Sequence, residues 1–158
     1  MLATGEKGEF FEEQKKIHGE FKNLGNTLMA LENQGVYHSK DLMPFGKYGQ
    51  IYQTYADNIA DSTVLAGDLP IRTSVGQMQD ADGNIYLLVL NREFEKPLQA
   101  SIPLKMPCHI YEVSKTDGRQ SLLDTSDKLN IQLDPGDAVL LRVQNAANEP
   151  FTAEYKLR

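Results

Sequence analysis

The feature that most constrains this chain is a run of six consecutive apolar residues, 85–90, inside the stretch NIYLLVLNR. The run is too short for a buried helix and rich in residues that fit a pleated sheet, and Asp82, Gly83 and Asn84 supply a turn in front of it. It predicts a central strand. A strand in an ordinary two-layer sandwich alternates between core and water, so an unbroken apolar run demands cover on both faces. The N-terminal stretch offers that cover. Phe10, Ile17, Phe21, Leu24, Leu28 and Leu31 recur at spacings of three, four and seven, which places them on one stripe of an amphipathic helix. Glu12, Lys15, Lys16, Glu20 and Lys22 fall largely elsewhere, and their mixed sign speaks for core packing rather than a membrane surface. Gly19 and Gly25 each cost such a helix about 1 kcal/mol against alanine, so tertiary packing must hold it together. The pattern predicts this helix over 9–35, with Gly35 as its stop.

Around these two elements the rest of the chain falls into order. Residues 1–8 carry no periodic pattern and read as a flexible lead-in. Segment 36–61 begins with a short extended exit, 36–39, and then carries Phe45, Tyr48, Tyr52 and Tyr55 among glycines and polar residues. These aromatics have two possible uses: an exposed platform that stacks on sugar rings, or a plug between helix and sheet, burial being the commoner fate of aromatic side chains. From residue 62 to the end the code is that of strands. Residues 63–66 form a short one, Ile71, Thr73 and Val75 alternate with Arg72 and Ser74, and residues 71–78 pair with the central strand as a hairpin. Leu98, Ala100, Ile102 and Leu104 alternate with polar residues in a strand that Pro103 suggests is an edge. Shorter strands follow at 109–113, 121–123, 129–133 and 138–143, and 151–157 can add one more. Strands at eight- to twelve-residue intervals with turns between them predict an antiparallel, Greek-key-like β-sandwich, mainly β with one long N-terminal α-helix.

Bulk properties set the limits. A chain of 158 residues fits one domain and buries about 68–70% of its unfolded surface, enough for a core without covalent staples. The net charge of -6 and the absence of a basic cluster argue against a nucleic-acid partner. Cys108 is the only cysteine, which excludes an intrachain disulfide and a multi-thiolate metal site; a small buried thiol is its expected state. No stretch reaches the roughly 20 apolar residues of a membrane span, and the first residues lack a signal peptide's apolar core.

Candidate chemistry is sparse. His18, His38 and His109 have no second histidine or carboxylate at ligand spacing, and His38 reads as a residue packed or hydrogen-bonded at the helix-to-sheet junction. Asp80, Asp82 and Asn84 resemble the front of a calcium loop but lack its remaining ligands and its bidentate glutamate, and turn residues bonding their own backbone explain them better. No nucleophile elbow, phosphate loop or Ser/Cys-His arrangement appears, and spacing selects no pair of carboxylates for glycoside hydrolysis. No catalytic residue, cofactor or metal ligand is therefore assigned.

The order of a helix ending LMAL, then Val36-Tyr37-His38, then strands carrying Leu88-Val89-Leu90-Asn91-Arg92, Ile110-Tyr111-Glu112-Val113 and Asp134-Pro135-Gly136-Asp137-Ala138-Val139 resembles the C-terminal end of multidomain bacterial glycoside hydrolases. There a (β/α)8 catalytic barrel closes with a helix and leads into an accessory β-sandwich. The resemblance implies a non-catalytic accessory domain that stabilises or orients a barrel absent from this chain, in a parent enzyme that acts in the periplasm or outside the cell. It implies no catalytic residue here. The alternatives are a carbohydrate-binding module using the aromatic segment 45–55, and a free-standing small enzyme, which needs a concave pocket with convergent ionisable groups. An apolar stripe without its barrel also allows self-association.

Overall fold

The computed structural model describes Gly8, residues 10–41 and residues 57–147. Among the described residues one α-helix, α1 (Phe11–Met29), precedes six strands: β1 (Glu32–His38), β2 (Thr73–Gln79), β3 (Ile85–Asn91), β4 (Leu98–Val113), β5 (Gln120–Leu133) and β6 (Ala138–Asn145). The chain is mainly β. All pairings are antiparallel, in a single hydrogen-bonded sheet of order β1-β2-β3-β6-β4-β5, with β6 returning to lie between β3 and β4.

The apolar run sits where its composition requires, on β3, third in the order and bonded on both sides. Its odd-numbered residues, Ile85, Leu87 and Val89, enter the main core with Val75, Leu141 and Val143. On the other face Tyr86 and Leu88 pack with Leu24, Leu28 and Leu31 of the helical stripe and with Leu140 and Val113. Helix α1 is thus the outer cover that an unbroken run demands. Leu90 lies beyond its reach and is partly exposed.

Three expectations change. The helix ends at Met29, not at residue 35: the N–H groups of Ala30 and Leu31 turn back to Thr27 and Leu28 (3.1 and 3.2 Å), and residues 32–38 pair with the open edge of β2 as a longer β1. A ladder of sheet bonds outweighs the weak helix propensity of these residues. Gly35 serves β1 instead, at an irregularity in the pairing, where a Cβ would come 2.6 Å from the buried Tyr37 hydroxyl. Second, the strands expected at 98–105 and 109–113 are one strand, β4, as are 121–123 and 129–133 in β5. Third, residues 63–66 make only an isolated bridge, Leu65 to Leu104, and Pro103 lies inside β4, joining through its carbonyl to Ala66 N–H (2.9 Å).

The long strands build the second layer. The register of β4 and β5 breaks between Pro103 and Cys108, and there both strands bend. Residues 108–113 stay in the first layer beside β6, while Leu98, Ala100, Ile102, Leu104, Leu129, Ile131 and Leu133 fold over the same core from the other side. Consequently the connections 92–97, 114–119 and 134–137, with Arg72 at the start of β2, gather at one end of the sandwich.

Candidate functional site at one end of the sandwich

Local chemistry fixes the architecture of this end. Asn91, 1% exposed, donates from Nδ2 to the carbonyls of Lys96 and Asp134 (3.0 Å each), and its Oδ1 accepts Glu93 N–H (3.0 Å). The Asn-Arg that ends β3 and the Pro-Gly-Asp turn before β6 are therefore tied by one side chain. Gly136, at φ 69°, makes that turn, and its N–H bonds Glu93 O (2.7 Å).

Arg92 reaches the exit of β1. Its Nη2 donates to Ser39 Oγ (2.7 Å) and Asp41 Oδ1 (3.3 Å), and Ser39 Oγ donates to Asp41. Both Asp41 oxygens accept the N–H of Arg72 (2.9 Å), which has the left-handed φ of 64°, and Arg72 pairs in turn with Glu93. A non-glycine residue in that conformation carries about 1 kcal/mol or more of strain, offset here by a carboxylate on its amide. Burial opposes the charge on Asp41, but hydrogen bonds from Ser39 and Arg72 and the charge of Arg92 hold its pKa below the ordinary value. His38 bonds Ser74 Oγ through Nδ1 (2.6 Å), at the far end of β1 from the helix. Burial, aided by the charge of Arg92, lowers its pKa. These charges pair with one another, and the knot anchors the chain at Asp41.

At the same end of the sandwich lies a cleft of about 580 Å³, opening between the two layers where β5 and β6 diverge. Its floor is Leu133, Val139 and Leu141; Glu112, Lys115, Ser121, Asn130, Gln132 and Asp137 surround it. Lys115 pairs with Asp137, whose Oδ1 also accepts Ala138 N–H (2.8 Å).

The same end carries exposed apolar side chains. Asn23 Nδ2 donates to Lys115 O (2.9 Å) and Thr116 O, so the half of α1 before Asn23 extends beyond the 114–119 turn. The apolar stripe continues along it, uncovered: Phe10 is 61%, Ile17 49% and Phe21 65% exposed, and Ile71 (67%) and Phe94 (83%) stand on neighbouring loops. Of the expected stripe only Leu24, Leu28 and Leu31 pack on the sheet.

Other candidate residues are accounted for. Phe45, Tyr48, Tyr52 and Tyr55 lie outside the described residues, as does the strand expected at 151–157. Asp80 accepts Asp82 N–H (3.0 Å) and Asn84 N–H (2.9 Å) with one oxygen and Asn84 Nδ2 (2.8 Å) with the other, a turn bonding its own backbone. His109 bonds Thr125 on the neighbouring strand (2.8 Å). Cys108 is buried, and burial raises its thiol pKa to about 11. Among the described residues no three His, Cys, Asp or Glu converge as metal ligands, and no helix is long and apolar enough to cross a membrane. Sequence reading missed the cleft; its one available signal is Glu112, which takes an inward position after Cys108 and Ile110.

No family model matches the sequence, and no curated protein is similar to it. Among solved structures, a β-L-arabinopyranosidase of glycoside hydrolase family 27 from Geobacillus stearothermophilus, in complex with arabinose, shares a weak structural likeness: TM-score 0.39 and 20% identity. The likeness covers 49% of this chain and 18% of that one, so this chain corresponds to under a fifth of the enzyme's length.

Proposed function

We propose that this chain is a non-catalytic accessory domain of a carbohydrate-active enzyme, holding or orienting a catalytic barrel against the loop end of its sandwich. The observation that carries the reading is the apolar stripe along α1 and its flanking residues, which is spent on the sheet at Leu24, Leu28 and Leu31 and continues uncovered through Phe21, Ile17 and Phe10. A side chain moved from water to a buried site contributes about 1.5–3 kcal/mol, so covering Phe10, Ile17, Phe21, Ile71 and Phe94 is worth on the order of 10 kcal/mol, enough to seat a neighbouring domain. The resemblance of the Asn91-Arg92 strand end and the 134–137 turn to glycoside-hydrolase sandwiches supports the same reading.

The test pairs the double substitution Ile17→Asp and Phe21→Asp with hydrolysis and retention assays over a panel of soluble and insoluble polysaccharides. The parent chain is expected to bind a hydrophobic dye or self-associate, to lose this in the double variant with an unchanged melting temperature, and to hydrolyse nothing. Hydrolysis that co-purifies with the chain overturns the proposal. Retention on a polysaccharide that disappears in Tyr48→Ala/Tyr52→Ala would assign the binding-module role instead.

A further inference from the structure

We propose that the cleft between the layers is a binding site for a small neutral polyol of sugar-ring size, with Glu112 as its principal hydrogen-bond acceptor. One residue of β4 is out of keeping with the face it occupies. Residues 108, 110 and 112 of β4 share the inward face, opposite Asn145, Val143 and Leu141 of β6. Cys108 and Ile110 spend that face on the core, yet the third position is a glutamate. A carboxylate on an inward face needs donors, from the protein, from water or from a ligand. Glu112 is half-buried, and among the described residues none donates to it or pairs with its charge. The nearby cation, Lys115, is taken by Asp137. The donors to Glu112 are therefore water in the open cleft, which a ligand carrying hydroxyl groups can replace.

The lining selects the chemistry of that partner. With Glu112, Lys115 and Asp137 the cleft carries a net charge of about -1, which disfavours anions. Ser114, Thr116 and Ser121 line the cleft with Glu112 over the aliphatic floor, and Asn130 and Gln132 border it from exposed positions on β5. A ligand that donates several hydrogen bonds along its edge and presents C–H groups on one face satisfies both parts, and a sugar ring or similar polyol is such a ligand. The cleft's size falls inside the usual range for small-molecule sites, about 300–1,000 Å³. This site stands independently of the docking reading, since it lies inside the sandwich and not on the helical stripe.

The experiment is a titration of the isotope-labelled chain, followed by amide chemical shifts, with galactose, glucose, xylose and myo-inositol, and with galacturonate and glucosamine as charged controls. Saturable shifts at residues 112, 121, 130 and 132 are expected for at least one neutral polyol. Galacturonate should bind at least about tenfold more weakly than galactose. Glu112→Leu should weaken binding about tenfold or more, the equivalent of one hydrogen bond to a charged group, and Glu112→Gln should weaken it less, because its carbonyl still accepts. The melting temperature and amide spectrum of each variant establish that the fold is intact; should Glu112→Leu misfold, Glu112→Gln and the galacturonate comparison decide. No saturable shift with any neutral polyol, binding confined to glucosamine, or neutral binding indifferent to the charge at residue 112 would each overturn the proposal.

Discussion

Replacing Asn91 by alanine removes the side chain that ties two turns together, and the structure gives the size of the loss. Three hydrogen bonds disappear: two donated to the carbonyls of Lys96 and Asp134, and one accepted from Glu93 N–H. At about 0.5–1.5 kcal/mol each, their net contribution is about 3 kcal/mol, and the site is too well buried for water to replace all three. With a urea m-value of about 1–3 kcal/mol/M, the midpoint of denaturation should fall by about 1.5 M at unchanged m. Asn91→Asp sharpens the test. A carboxylate still accepts from Glu93 N–H but faces two carbonyls with no proton to share, so at neutral pH this variant should be less stable than the alanine one. Acidification protonates the carboxylate and restores one donor, so the order should narrow or invert at low pH. An alanine variant losing less than about 1 kcal/mol, or an aspartate variant matching the wild type at pH 7, would refute the idea that this amide organises the loop end.

Leu24→Ala, at the helix-sheet contact, should cost about 2–3 kcal/mol, whereas Phe21→Ala on the exposed part of the stripe should change stability by less than about 0.5 kcal/mol; equal losses in chemical denaturation would show that the whole stripe is buried. The lowered pKa of His38 means that the unfolded chain binds the proton more readily, so its contribution is present above the unfolded value of about 6.5 and is lost as pH falls from there toward the folded value. Melting curves of His38→Gln should lack that slope, and an unchanged slope would exclude His38 as its source. Asp41, also lowered, adds a second loss beginning near the unfolded value of about 3.9 and continuing down to the folded pKa; Asp41→Asn should remove it. Cys108, with its thiol at about 11, should resist alkylation at pH 8 in the native chain and react on unfolding; prompt native labelling would contradict its burial.

What the sequence determined by itself is local. Six apolar residues in a row specified a strand covered on both faces, period-two alternation around Val75 and Ile131 specified which side chains face the core, and Asp80 and Gly83 specified the turn between β2 and β3, because each depends only on the pleat or on bonds within a few residues. The tertiary structure decided whatever depends on a distant partner. Residues 32–38 left the helix because the edge of β2 was open to them. β4 and β5 bent because both layers must close over one core, a demand that the unbroken even-numbered apolar row of β4, from Leu98 to Ile110, does not display. The stripe of α1 is uniform in sequence, yet it is divided at Asn23 by where the sheet ends beneath it. Glu112 reads as an ordinary strand glutamate until the return of β5 places residues 130–133 along the same cleft. Periodicity gives a side chain its face; only the packed chain determines what that face meets.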